Sequence, residues 1–185
     1  AGALVGSVGT VAIGYSALAA LTSGERNLAI GYQALEDMTL GDDNIAIGYL
    51  ALNGLRADAN AVQNIAIGNY TMDVTDNDNS TARNVCIGHN AGTAMTGDDN
   101  TCVGDASGDT ISNGASNTII GAGADTSASS TENATAIGYG TVTKGNHTVT
   151  LGNASVNDVY MAFDSGANVH AANVISNSNY AVEGY

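Results

Sequence analysis

Asn44-Ile45-Ala46-Ile47-Gly48 decides the fold of this chain, because the same five-residue pattern returns along most of its length. Close copies occur at 27–31, 64–68, 84–88 and 100–104, and looser copies at 10–14, 117–121, 134–138 and 148–152. The glycines that close these copies follow one another at a nearly constant spacing. Such a period is typical of a solenoid, in which each repeat forms one turn of a stacked coil.

Side chains alternate within each copy of the pattern. Ile45 and Ile47 point to one face of a strand and Ala46 points to the other. We expect the branched residues to stack inside the coil. The opposite face carries only small residues, which suggests that a neighbouring backbone presses against it. We therefore predict a subunit interface formed by Ala29, Ala46, Ala66, Cys86 and Cys102. The alternative is that both faces lie inside one broad monomeric coil.

A second pattern, Tyr-x-Ala-Leu, follows the glycine in the early repeats, as in 15–18, 32–35 and 49–52. Its leucines, with Leu21 and Met38 three residues later, are expected to form the other wall of the coil. A short helix is the alternative, although about seven residues are too few for a helix that is stable by itself. Polar turns complete each repeat, and the longer repeats carry their extra residues in loops at 56–63 and 73–83.

The predicted fold is all-β, a parallel β-roll or β-solenoid of about nine short turns over residues 1–152. Nine turns would make a rod on the order of 40–45 Å long. Residues 153–185 break the pattern. Their two apolar runs, 156–163 and 169–175, predict a strand, a turn and a strand that connect or cap the coil.

Composition excludes several classes of partner. The chain has four Lys and Arg residues against 18 Asp and Glu residues, and its formal net charge is −14. Phosphate groups require basic side chains, so nucleic acid is not expected as a partner. The same argument disfavours anionic membrane surfaces. There is no apolar run of about 20 residues, and membrane insertion is therefore not expected.

The Asn-x-Ala-Ile-Gly pattern followed by Tyr-x-Ala-Leu resembles the YadA-like head repeat, which occurs in trimeric autotransporter adhesins and in bacteriophage tail fibres and tailspikes. The resemblance covers roughly residues 10–152. It implies a left-handed parallel β-roll, with three chains packed around a common axis. Residues 149–166 also resemble the segment that precedes the intramolecular chaperone of phage fibres, although the Ser-Asp cleavage motif of that chaperone is absent. The repeats here are longer than those of the adhesin heads.

This resemblance implies a structural and adhesive rod segment of a homotrimeric surface fibre, located in a virion tail fibre or at a cell surface. A phage fibre that attaches to a host is the first interpretation, and a bacterial adhesin head is the alternative. A polysaccharide-degrading spike enzyme and an ice-binding solenoid are alternatives from other classes. Ice binding would need a regular array of threonines, and the threonines are scattered in the sequence.

No residues predict catalysis. His89, His147 and His170 lie in different repeats or in the tail, and no nucleophile elbow or Cys-x-x-Cys spacing is present. We therefore expect no enzyme activity, no cofactor and no catalytic metal. The acidic turns at 41–44, 76–79 and 97–100 contain oxygen ligands that suit a structural calcium ion. Their spacing matches no known calcium loop, and solvated turn acids are the alternative.

Aromatic residues supply the candidate ligand contacts. Tyr15, Tyr32, Tyr49 and Tyr139 share the position after the repeat glycine, and His89 replaces them once. Rings on the outside of the coil could stack on the sugar faces of a host-surface glycan. The alternative is that neighbouring rings pack on each other. Cys86 and Cys102 share a repeat position in consecutive turns, about 5 Å apart. This spacing allows a disulfide, and the alternative is two small buried residues.

Overall fold

The structure is a computed structural model that describes residues 8–54, 61–74 and 81–159. All of the regular elements in these residues are β-strands. They are β1 (Val11–Ile13), β2 (Leu28–Ile30), β3 (Gly41–Asp42), β4 (Ile45–Ile47), β5 (Ala61–Val62), β6 (Ile65–Ile67), β7 (Val85–Ile87), β8 (Thr101–Val103), β9 (Thr118–Ile120), β10 (Thr135–Ile137) and β11 (Val149–Leu151).

The strands form a parallel β-solenoid, as the repeat predicts. Nine of them form one sheet in the order β1-β2-β4-β6-β7-β8-β9-β10-β11, while β3 and β5 pair separately. All pairs in the nine-stranded sheet are parallel and keep the repeat register, so that Ala29 lies beside Ala46 and Ala46 beside Ala66. The predicted all-β fold class is confirmed. At about 4.8 Å between strands, the sheet is about 38 Å long.

The two faces of each strand are oriented opposite to the prediction. Ala29, Ala46, Ala66, Cys86 and Cys102 are all fully buried within the single chain, so they cannot form a subunit interface. In the nine strands of the main sheet, the first and third residues point outward instead, and all of them are half-buried or exposed. The predicted facing was therefore wrong by one residue, which exchanges the two faces of a strand.

The opposite wall of the coil explains this reversal. Leu35, Met38, Leu52, Met72 and Met95 are fully buried and share one core cluster with the small strand residues. Because these long side chains come from the turn segment, they fill the narrow interior, and only a small residue fits opposite them on the strand.

The Tyr-x-Ala-Leu segment forms a turn with two residues in the left-handed region. In the second repeat these are Gln33 and Leu35, at φ angles of 55° and 53°. A leucine rarely adopts this conformation. Hydrogen bonds between turns hold it here, since the Gln33 N–H donates to the Tyr15 carbonyl at 2.8 Å and the Leu35 N–H donates to the Ala51 carbonyl at 3.1 Å.

The repeat glycine is required by close approach between turns. A β-carbon at Gly31 would lie 2.1 Å from the carbonyl oxygen of Gly48, and one at Gly48 would lie 2.2 Å from that of Gly68. Both glycines also have φ angles above 140°. A side chain at these positions would therefore force the stacked turns apart.

Contacts divide the chain into two units, Ala1–Ser155 and Val156–Tyr185. The first unit contains the solenoid, whose last strand ends at Leu151. In the second unit only Val156–Val159 is described, and these residues form no strand. The remainder of the predicted strand-turn-strand segment lies outside the described residues. Among the residues that are described, none belongs to a helix with the length and apolarity needed to cross a membrane.

Candidate functional site

The outward side of the nine-stranded sheet is a continuous surface that is mainly aliphatic, and we call it the strand face. Its first column contains Val11, Leu28, Ile45, Ile65, Val85, Thr101, Thr118, Thr135 and Val149. Its second column contains Ile13, Ile30, Ile47, Ile67, Ile87, Val103, Ile120, Ile137 and Leu151. No charged side chain belongs to either column.

Several aliphatic side chains of the strand face lie in solvent. The exposed fraction is 57% for Ile13, 41% for Ile137 and 38% for both Ile87 and Ile120. A strip three residues wide and nine strands long covers roughly 400 Å², about the size of the largest apolar patch on a typical monomer. Sequence reasoning missed this surface because it placed these residues inside the coil.

The aromatic residues form a second surface feature, a stacked column beside the glycines. Ring centroids are 5.0 Å apart for Tyr15 and Tyr32 and 5.2 Å apart for Tyr32 and Tyr49, with nearly parallel planes. The column continues edge to face through Tyr70 to His89, at 5.2 and 5.9 Å. We call these five residues the tyrosine ladder. Neighbouring rings pack on each other, which is the alternative that the sequence left open.

Tyr70 was not among the predicted aromatic contacts. It lies one position later in its repeat than the other tyrosines, because Asn69 follows the glycine there. The Asn69 side chain accepts a hydrogen bond from the Tyr49 N–H at 2.9 Å. The fourth repeat thus supplies both a hydrogen-bond acceptor and a ring, which a search for tyrosine at one fixed position could not find.

Tyr139 stands apart from the ladder. It is 78% exposed, and the residues at its position in the adjacent repeats are Ala122 and Asn153. Among the described ring contacts, none involves Tyr139. Of the predicted ligand contacts, Tyr139 is therefore the one whose two ring faces are both uncovered by other rings.

The acidic turns contact arginine. The Asp43 carboxylate accepts a hydrogen bond from Arg26 Nε at 2.6 Å, and Asp99 accepts one from Arg83 Nε at the same distance. These hydrogen bonds hold the pKa of both carboxyl groups below the ordinary value. The preceding acid in each turn, Asp42 or Asp98, accepts a backbone N–H of the previous turn at 2.8 Å.

These contacts already occupy the aspartate carboxylates that we considered as calcium ligands from the sequence. A cation at 41–44 or 97–100 would have to compete with a guanidinium group that already pairs with the carboxylates of the turn. The third acidic turn, 76–79, lies outside the described residues. Within 8–54, 61–74 and 81–159, no group of three or more His, Cys, Asp and Glu residues is arranged to hold a metal ion.

Buried asparagines form a continuous ladder along the interior corner of the coil. Between neighbouring members, the Oδ1 of one asparagine accepts both the backbone N–H and the side-chain amide of the next, as between Asn44 and Asn64, both at 3.0 Å, and the last Oδ1, that of Asn117, accepts the Ala134 N–H. Each side-chain amide also donates to a backbone carbonyl, which for Asn64 is that of Thr81 at 2.7 Å. The ladder contains Asn27, Asn44, Asn64, Asn84, Asn100 and Asn117.

Two cavities lie at the first and last described turns. The first has a volume of about 400 Å³ and is lined by Ala12, Gly14, Tyr15, Ser16, Ala17 and Ala19. The second, of about 310 Å³, includes Lys144, Thr150 and Asn153 in its lining. Among the described residues that line them, there is no carboxylate, histidine or cysteine. His89 lies on the tyrosine ladder and the His147 ring pairs with Asn133 at 3.0 Å, and neither histidine lines either of these two cavities.

Comparison with known proteins identified no relative. No protein-family model matches the chain, and neither a curated protein nor a solved structure matches it.

Proposed function

We propose that this chain is a rod segment of a homotrimeric surface fibre of the YadA-like head type, in a virion tail fibre or at a cell surface. The observation that carries the proposal is the strand face, which runs along all nine strands without a charged residue. Contact between copies would remove its exposed aliphatic side chains from water.

The solenoid suits the role of a spacer. Each turn contacts only its neighbours, so further turns lengthen the rod without altering the core. The hydrogen bonds of the asparagine ladder join the turns from Asn27 to Asn117, and close glycine contacts continue from turn to turn. A fibre segment needs such a regular rise more than it needs a pocket.

In this role the chain would also bind a host-surface glycan through an aromatic side chain. Ring centroids about 5 Å apart leave no space for a sugar between the rings of the tyrosine ladder. The two free faces of Tyr139 make it the better candidate for stacking against a pyranose ring of a host-surface glycan. A glycan array probed with the native protein and with Tyr139→Ala tests this contact, and equal binding by both would exclude Tyr139.

The mass of the protein in solution tests the trimer. Sedimentation equilibrium should give three times the chain mass of 18.4 kDa. Ile137→Glu places a charge on the strand face and should yield a folded monomer, because a buried unpaired charge opposes association. Thr110→Glu adds the same charge at an exposed residue outside the strand face and should leave the trimer intact. A native protein with the mass of one chain would exclude the proposal.

A further inference from the structure

We infer that the cavity beside β11, the last strand of the nine-stranded sheet, binds a sugar that carries a carboxylate group. In this site Lys144 pairs with the carboxylate, and the Thr150 hydroxyl binds a hydroxyl group of the sugar. The inference rests on the glycan binding proposed above. It names the chemical class of the glycan and adds two contacts that the proposed function does not contain.

The cavity lies at the last described turn of the coil. β11 pairs with β10 on one side, and no described strand covers its other side. Gly140 and Gly152 line the cavity without a side chain, which leaves space beside the strand. Its volume of about 310 Å³ is within the range of roughly 300–1,000 Å³ that is typical of small-molecule sites. A ligand of the size of one sugar residue is therefore in scale with this space.

The Thr150 hydroxyl is a buried polar group without a partner at this cavity. Thr150 lies in register with Ala136, which is fully buried in the interior of the coil. The Thr150 oxygen is shielded from solvent and forms no hydrogen bond with any described residue. In the preceding turn, by contrast, the buried hydroxyl groups of Thr141 and Thr143 each have a partner. Because Thr150 has no hydrogen bond to lose, rotation about its χ1 angle can bring the hydroxyl to a ligand, which removes the cost of leaving it unpaired.

Lys144 supplies a positive charge on the wall of the same cavity. It is the one lysine of the chain. Among the Lys and Arg residues that the structure describes, Arg26 and Arg83 are paired with aspartates of the next turn, whereas Lys144 is in no ion pair. The formal charge of −14 repels anions from the chain as a whole, so an anionic ligand needs a local cation of this kind. One ammonium group balances the single charge of a carboxylate, whereas a phosphate group carries up to about two charges at pH 7.

The surroundings of the cavity favour a sugar over a simple carboxylate. Asn153 lines the cavity, and its side-chain amide donates to the Tyr139 carbonyl at 2.8 Å, so the turn that carries Tyr139 lies directly beside the site. The Tyr139 ring is largely exposed. A sugar has ring faces that stack on an aromatic side chain and hydroxyl groups that bind polar atoms. An acidic sugar therefore has three kinds of group that match Tyr139, Thr150 and Lys144.

A glycan array of matched pairs tests the class of ligand, each pair being an acidic sugar and its uncharged methyl ester. The pairs contain uronic acids and sialic acids, so the array also identifies the source of the carboxylate. We expect the native protein to bind at least one acid about fivefold more tightly than its ester, and to lose this preference at high salt, because salt screens an exposed ion pair. Equal binding within every pair would overturn the inference and leave the stacking on Tyr139 intact. If no glycan binds at all, the adhesive part of the proposed function fails together with the inference.

Substitutions then assign the two contacts on the preferred pair of sugars. Lys144→Gln should lower the affinity for the acid to that for the ester, whereas Lys144→Arg keeps the charge and should keep the preference. Thr150→Val preserves the shape of the side chain and should weaken the binding of both sugars without lowering the melting temperature, because the hydroxyl has no partner in the free chain. Thr110→Val, at an exposed threonine outside the cavity, is the control and should change neither affinity. A preference for the acid that persists in Lys144→Gln, or unchanged binding by Thr150→Val, would overturn the inference.

Discussion

Gly92 lies directly against Cys86 across the interior of the coil. A β-carbon built at Gly92 would come within 2.9 Å of the Cys86 sulfur, and one at Gly108 would come within 2.4 Å of the Cys102 sulfur. In earlier repeats the position of Gly92 is occupied by Leu35 and Leu52, opposite an alanine. A larger residue on the strand thus accompanies a smaller one on the wall, which keeps the interior volume nearly constant.

This inverse relation between the size of the strand residue and the size of the wall residue predicts the outcome of a double substitution. Gly92→Leu alone should destabilise the chain by about 1–3 kcal/mol through overpacking. Combining it with Cys86→Ala should recover most of that loss, because the pair then matches the earlier repeats. Urea unfolding of both single variants and the double variant measures the coupling. Additive losses in the double variant would show that the two positions do not share one volume.

The asparagine ladder should be sensitive to loss of a middle member. Asn84→Ala removes the acceptor for two Asn100 N–H groups and leaves the Gly97 carbonyl without its 2.9 Å donor. We expect a loss of about 2–6 kcal/mol from these unsatisfied buried groups. Asn146→Ala is the matched control, since this exposed residue accepts one hydrogen bond from the Glu132 N–H. In thermal unfolding, Asn84→Ala should lower the melting temperature clearly more than Asn146→Ala does.

Stacking predicts different results at two tyrosines that share a repeat position. Tyr49→Ala breaks contacts with both Tyr32 and Tyr70 and should lower the free energy of unfolding by about 1–2 kcal/mol. Tyr139→Ala breaks no described ring contact and should leave stability nearly unchanged. Equal losses in chemical denaturation would mean that ring stacking contributes little.

The two cysteines should resist thiol reagents in the folded protein. A hydrogen bond with Cys102, together with burial, raises the pKa of the Cys86 thiol well above its ordinary value. The reactive thiolate is therefore scarce, and the reagent has no access to it. We expect the disulfide reagent DTNB to modify neither thiol in the native state and both after unfolding in urea. Rapid native modification would contradict the buried position of the pair.

Asp109 predicts a dependence of stability on pH. Desolvation by burial and a hydrogen bond with Asp125 raise the pKa of Asp109. The folded chain therefore holds this proton more tightly than the unfolded chain. The resulting contribution to the free energy of unfolding is present below about pH 4, and it is lost as the pH rises through the pKa that Asp109 has in the folded chain. Asp109→Asn should raise the melting temperature at pH 7 and change it little at pH 3.

Asp43→Asn should change stability at pH 7 in the opposite direction to Asp109→Asn. The pKa of Asp43 is lowered by its hydrogen bond with Arg26, so its contribution is present at neutral pH and is lost as pH falls through the lowered pKa. The variant should be slightly less stable than the native protein at pH 7 and equal to it in strong acid. The effect is expected to be small because the pair is exposed. A melting temperature raised at pH 7 by both substitutions would contradict this difference in sign between the two carboxyl groups.

The sequence by itself determined the repeat architecture. The spacing of the Asn-x-Ala-Ile-Gly copies predicted parallel strands in register, because identical residues stack only when each turn returns to the same point. The recurring glycine marked where each strand copy closes, and the structure shows at Gly31 and Gly48 that a side chain there would meet the next turn. These features depend on periodicity and local backbone chemistry, which the sequence contains directly.

Only the tertiary structure decided which strand face lies inside. Alternation separates Ala46 from Ile45 and Ile47 but gives both faces an apolar composition, so the period cannot choose between them. The choice depends on the volume that the opposite wall leaves free, and Leu52 leaves room for alanine only. The outward position of the isoleucines, and with it the surface available to other copies of the chain, therefore follows from packing across the coil.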